Sequence, residues 1–398
     1  MLMEWKIGGG RDATRLVRAL ALFLAALALL QSGLADADSR TQAKRMHDRL
    51  AGVPPTAAVL DAMAADLAAG RSIDAAYKAM EHRAFYDVTL KNFAMPWTNR
   101  DQTVFAPLND YVATVIGMVR DDVAFDRVLY DDILYVGRSG LGVPGYSPSG
   151  NDHYAALESQ GLSLKDNLVA TTQSAANGIP AEATAGVLTS RAAAQAFFIA
   201  GTNRAMFRYT LMNHLCTDLE QVQDPTRPPD RIRQDVSRSP GGDSRLFLNN
   251  CIACHAGMDP MTQAFAYYDY DETAGRMLYT PGVVRPKYFN NKDTFPSGYS
   301  TPDDTWDNYW RKGSNSLLGW DGSLPGKGTG AKSLGRELAQ SEAFASCQVQ
   351  KVFKNVCFRA PSDAQDRARV QSMTASFKAN GYQLKRVFAE AATYCMGD

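Results

Sequence analysis

The chain has no charge imbalance: Lys and Arg number 42, and so do Asp and Glu. No net field draws it to nucleic acid or to an anionic membrane. Histidine is scarce, with five in 398 residues, and there is no nucleophile elbow. No Ser-His-Asp order can be argued from that set. The stretch GKGTGAKS, Gly326 to Ser333, lacks phosphate-loop spacing, because Gly326 and Gly330 are four apart and Ala331 precedes the Lys. No repeat of fixed period and no low-complexity tract is present. Hydrophobic content of 45% and charged content of 21% predict a packed body rather than disorder.

Long apolar runs are also lacking, except at the start. Arg11, Arg15 and Arg18 precede a 12-residue apolar core, Ala19 to Leu30, and Ala35-Asp36-Ala37 offers an A-x-A cleavage site. That order predicts an export signal over residues 1–37. The apolar core is short for the ~30 Å of bilayer hydrocarbon. No transmembrane span is expected after cleavage, and the periplasm or the medium is the expected location.

Cysteine is sparse, and all six lie beyond the signal: Cys216, Cys251, Cys254, Cys347, Cys357 and Cys395. Two of them form CIACH, Cys251 to His255. The offset of three puts both sulfurs on one side of a helical turn, and the adjacent imidazole can bind a metal axially. Haem c attachment needs these groups at these spacings: Cys251 and Cys254 for two thioethers, His255 as iron ligand. A zinc site would need a second ligand pair of similar spacing, and none exists. A redox dithiol would need a strand-helix-strand setting, which the flanks lack. One CxxCH implies one covalently attached haem. The remaining four cysteines are an even number, as two disulfides in an oxidising compartment require.

The sixth iron ligand is unassigned. Met258 is too close to His255 to cross to the other haem face. Met261, Met277, Met373, Met396, His153 and His214 are candidates, though each Met reads more readily as core filling. His47 and His82 read as solvated. Arg276 and Arg285 are candidate propionate partners by charge. The acidic Tyr268 to Glu272 lacks calcium-loop spacing and reads as the exit of the haem helix. Trp306, Trp310 and Trp320 read as a loop core that can also pack a haem.

The periodicities predict a mainly α, multi-helix fold with irregular loops around one c-type haem and a three-helix C-terminal unit. Residues 38–136 form an N-terminal helical region. Within it, helices are expected over residues 72–95, with Ser72 as cap, and as a pair over residues 108–136. Residues 137–152 are a Gly-, Ser- and Pro-rich loop. Residues 153–330 form the haem c-binding domain, with helices expected over residues 152–161, over 163–174 and over much of 190–216. Residues 217–243, polar and Pro-rich, are expected to be an exposed connection, and residues 280–330 irregular with short strands. Residues 331–398 form the C-terminal helical domain.

The flanks of CIACH carry a resemblance. CIACHAGMDPMTQAFAYYDYDETAGRM is similar to the CxxCH-x-x-M-D-P-x-G-F segment of planctomycete-type cytochrome c proteins. AGVLTSRAAAQAFFIAGTNRAMFRYTLMNHLC, RDDVAFDRVLYDDILYV and the tail segments ELAQSEAFASCQVQKVFKNVCFR and GYQLKRVFAEAA resemble others of that family, in the same order, across residues 121–392. The chain departs from the pattern around Met261-Thr262 and Met206-Phe207. The resemblance implies the haem and the domain order, and it places Cys216 and Cys347 in family positions. Cys347 and Cys357 stand ten apart on one expected helix, about 15 Å along its axis, too far to pair. In an up-down-up tail Cys395 ends level with Cys357. The expected pairs are therefore Cys216–Cys347 and Cys357–Cys395.

Functionally, these features predict an exported mono-haem c-type cytochrome carrying single electrons to a redox partner protein, more an electron carrier than a catalyst. The excess length keeps two alternatives: a haem-dependent redox enzyme with an open distal site, peroxidase- or oxygenase-like, or a haem-bearing subunit of a larger extracytoplasmic assembly, with itself or other chains.

Overall fold

The computed structural model describes residues 38–199 and 201–397. The export segment, 1–37, lies outside the described residues. Three helices open the fold. Asp38 caps α1 (Ser39–Ala51) by accepting the Thr41 N–H, and Gly52, in the left-handed region, ends it. Thr56 caps α2 (Ala57–Ala68) in the same way. Helix α3 (Ser72–Met80) follows, with Arg71 at the cap position and Ser72 already inside the helix. It stops well short of residue 95. The His82 ring accepts the Ala84 N–H at 3.2 Å, drawing that donor out of the helical ladder. A π-helical turn (Phe85–Leu90) then restarts the chain.

Helix α4 (Asp110–Arg120) is buried along almost its whole length. The second helix expected before residue 136 is a short 3₁₀ turn (Phe125–Leu129) that leads into strand β1 (Leu134–Gly137). Helix α5 (Asp152–Ser159) then forms as predicted. The helix expected over residues 163–174 is one turn, Leu164–Asn167, followed by strand β2 (Leu168–Thr171). Strands β1 and β2 pair antiparallel, with Leu134 opposite Thr171. Both corrections have one cause. Short apolar runs fit a strand or a helix equally well, and pairing between two distant runs decided for strand.

Helices α6 (Arg191–Phe197) and α7 (Arg204–Thr210) lead to α8 (Ile252–Thr262). A hairpin of β3 (Tyr268–Asp271) and β4 (Arg276–Tyr279) follows, then a small pair, β5 (Thr305–Asp307) with β6 (Lys327–Thr329). The fold closes with α9 (Gly330–Ala339), α10 (Glu342–Cys357), α11 (Ala364–Ala379) and α12 (Leu384–Cys395). The periodic stretch from Leu334 is divided at Ser341, whose side chain accepts the Phe344 N–H and caps α10.

The protein is mainly α, with only two-stranded sheets among the described residues. Helices α10, α11 and α12 pack on one another, and α12 also lies against α1 and α3. Phe388 of α12 meets Phe85 edge to face at 5.2 Å. One hydrophobic core therefore runs from Ala43 to Ala392. Both expected disulfides are present: Cys216–Cys347 with Cα atoms 5.3 Å apart, and Cys357–Cys395 with Cα atoms 5.5 Å apart. No helix among the described residues is long and apolar enough to cross a membrane.

Two polar expectations are overturned. His47 is buried, its Nδ1 2.8 Å from the Val53 carbonyl, and burial holds its pKa below the usual value. The connection over residues 217–243 is not simply exposed, because Asp224, Ile232 and Arg233 are buried within it. Its buried groups face α8, as described next.

Candidate functional site

Cys251 ends a π-helical turn, Phe247–Cys251, and α8 begins at the next residue. The helical path puts Cys251, Cys254 and His255 on neighbouring positions of one face. Cys251 and Cys254 are both free and half-buried, while the other four cysteines are bonded. Ile232, Val236, Phe247 and Ala256 form a small apolar cluster, apart from the main core, and Cys251 packs against it. Arg238 lies over the Phe247 ring at 4.8 Å.

One turn further, Asp259 is fully buried. The His255 Nδ1–H donates to Asp259 Oδ1 at 3.1 Å. A carboxylate only accepts, so this bond makes Nδ1 the protonated nitrogen and leaves Nε2 as the free donor to a metal. Among the described residues nothing hydrogen-bonds to Nε2. Arg204 forks onto Asp259, Nε to Oδ1 at 2.8 Å and Nη2 to Oδ2 at 3.0 Å. The same guanidinium reaches Asp235 at 2.6 and 3.0 Å. The backbone N–H of Arg233 donates to Asp259 Oδ2 at 3.3 Å. The Arg233 side chain turns to the Asp259 carbonyl and to Thr262 Oγ1. Burial alone would raise the Asp259 pKa, but Arg204 and then His255 outweigh it and hold the carboxyl well below its usual range.

The thiols have a different environment. Burial, then the neighbouring Cys251, pushes the Cys254 pKa up. That direction is opposite to the depressed thiolate pKa of a dithiol oxidoreductase. No group of three or more His, Cys, Asp or Glu is placed to hold a metal ion among the described residues. The two free thiols and an imidazole Nε2 without a hydrogen-bond partner among the described residues would fit a macrocycle that brought its own equatorial ligands.

The other residues singled out in the sequence have structural employment. Arg285 pairs with Asp269 at 3.3 Å, and Lys287 joins the same carboxylate at 2.7 Å. Tyr268 to Asp271 is strand β3. Trp310 is fully buried behind α8, and Trp320 Nε1 donates to the Trp310 carbonyl at 3.0 Å. His153 has both ring nitrogens engaged by backbone, the Gly137 N–H at 2.8 Å and the Pro144 carbonyl at 2.6 Å. His214 is buried, its Nε2 2.7 Å from the Tyr111 hydroxyl. Met258, Met261, Met277 and Met373 are in the main core. Sequence reasoning missed Asp259, Arg204 and Asp235. The i, i+4 spacing of His255 and Asp259 was the available signal for the first. Nothing local pointed to the other two. No family model matches the chain, and no curated protein or solved structure matches it.

Proposed function

We propose that this chain is an exported mono-haem c-type cytochrome that passes single electrons to a partner protein in the periplasm or outside the cell. One observation carries the reading. Cys251 and Cys254 are the two unpaired thiols on the described chain, and beside them His255 presents Nε2 with its other nitrogen already engaged. Cys251 and Cys254 would tether the haem and His255 would be its axial ligand. The haem supplies a one-electron iron couple, and the protein sets that couple through the axial ligand, burial and hydrogen bonding. The resemblance to planctomycete-type cytochrome c proteins supports the same reading.

A second reading, a haem enzyme with an open distal face, is favoured by the engagement of the remaining histidines. His153 has no free ring nitrogen, and His214 is turned to Tyr111 in the core. The primary test is co-expression with a cytochrome c maturation system. The purified chain is expected to gain the mass of one haem and to give a bis-thioether pyridine haemochrome spectrum. A product without covalent haem would sink both readings.

A further inference from the structure

The carboxylate beneath His255 does more than fill a buried position. We propose that Asp259 is the positioning residue of the site: it sets His255 with Nδ1–H inward and Nε2 outward before any group is attached, and it strengthens the imidazole as a metal donor. The inference rests on the haem reading of the site and goes beyond it to the device that tunes the ligand.

The charge arrangement supports this. Asp259 is fully buried, so its charge acts through little solvent. Arg204 is its main counter-charge, yet Arg204 is shared with Asp235. The Arg233 guanidinium adds positive charge beside Asp259 but puts its hydrogen bonds on the Thr202 and Asp259 carbonyls and on Thr262 Oγ1, and lies 4.8 Å from the Tyr288 ring. The two carboxylates thus share the Arg204 fork, and Asp259 Oδ1 still accepts the Nδ1–H of His255. A ring whose Nδ1–H points at a carboxylate gains electron density at Nε2, which favours the higher charge state of a bound metal. Asp235 in turn fixes Arg204, and with it the direction in which Asp259 faces.

A merely structural Asp259 would hold residues 231–235 onto α8 and leave the ring unaffected. Two readouts separate the cases. First, the full chain is expressed without haem attachment, with ¹⁵N-labelled histidine, and His255 is assigned against His255→Gln. In mildly alkaline buffer, where an unperturbed imidazole is neutral, His255 is expected to show a protonated Nδ1 and a bare Nε2. Asp259→Asn is expected to mix the tautomers. Second, in the haem-loaded protein Asp259→Asn is expected to raise the reduction potential, and Asp235→Asn to raise it less. Should Asp259→Asn not fold, Asp235→Asn carries the test, because it loosens Arg204 without touching His255. A His255 protonated at Nε2 in the wild type overturns the proposal, as does an unmoved potential in folded variants. If no variant takes up haem, the haem reading fails, and the tautomer measurement still decides the role of Asp259.

Discussion

Gly257 lies against the edge of the Trp310 indole so closely that a Cβ on Gly257 would stand 1.8 Å from Trp310 Nε1. Trp310 is fully buried, and its Nε1 has no hydrogen-bond partner among the described residues. The turn of α8 just after His255 is therefore seated on the Trp310 ring, and Trp320 Nε1 donates to the Trp310 backbone carbonyl. The fit has a measurable consequence. Gly257→Ala must push α8 or Trp310 aside and is expected to cost about 1–3 kcal/mol, in spite of alanine's better helix propensity. Urea unfolding followed by tryptophan fluorescence reads this directly, and an unchanged midpoint would mean that the contact is looser than it stands here.

The two disulfides should differ in weight. Cys216–Cys347 closes 131 residues and Cys357–Cys395 closes 38. Loop-closure entropy gives upper values of about 5 and about 4 kcal/mol respectively. Replacing the first pair by alanine should lower the thermal midpoint more than replacing the second. Before that comparison, alkylation of denatured, non-reduced, haem-free protein should label Cys251 and Cys254 alone. Label on Cys216 would refute the first pairing.

Much of this was legible in the sequence, and the reason differs by feature. The grouping of Cys251, Cys254 and His255 was legible because the three lie within five residues and a helical turn brings them to one face. For the disulfides, the spacing of Cys347 and Cys357 on one helix removed only one of three connectivities; the resemblance, which places Cys216 and Cys347 in family positions, and the up-down-up tail implied the rest. The His255 ring orientation was not legible. It follows from Asp259, which Arg204 holds and Asp235 braces only through Arg204; these two sit 51 and 20 residues before His255 in the chain and come together only through the tertiary fold. Strands β1 and β2 were missed for a related reason. Each is four residues long, and only the other strand, 34 residues away between Leu134 and Leu168, makes it a strand.

Asp304 gives a pH dependence with a definite sign. It is buried, its backbone carbonyl accepts the Gly330 N–H, and burial raises its carboxyl to about 6, with Asp303 adding to the shift. An unfolded Asp titrates near 4. Between these values the folded state binds more protons than the unfolded state, so stability falls as pH rises. The contribution is fully present below pH ~4 and lost by pH ~6, on the order of 2 kcal/mol. Asp304→Asn is expected to flatten this slope, which makes the variant gain on the wild type between pH 4 and pH 7. Parallel urea curves at the two pH values test it, and equal slopes for the two proteins would refute it.

On the haem reading, the distal side of the iron would give the sharpest functional test. A six-coordinate electron carrier needs a second strong ligand, commonly His or Met. Both nitrogens of His153 are engaged by backbone, and Tyr111 holds Nε2 of His214. His47 is buried at α1 with its Nδ1 on Val53, and His82 packs beside it at 5.7 Å. Met258, Met261, Met277 and Met373 are core residues, and withdrawing any of them would open a cavity costing roughly 2–5 kcal/mol. The rearrangement needed to recruit one of these side chains therefore competes with the strength of the iron bond it would make. The expected outcome is a ferrous haem that binds carbon monoxide, seen as a shift of its main absorption band on addition of the gas. An open sixth position is compatible with a five-coordinate electron carrier, so turnover of peroxide or O₂ by the haem-loaded protein, and not carbon monoxide binding alone, would move the assignment toward the haem enzyme. A low-spin spectrum indifferent to carbon monoxide would show that a ligand is recruited after all and would favour the electron carrier. His153→Gln and His214→Gln would then report which histidine, if either, had been drawn from its present hydrogen bonds.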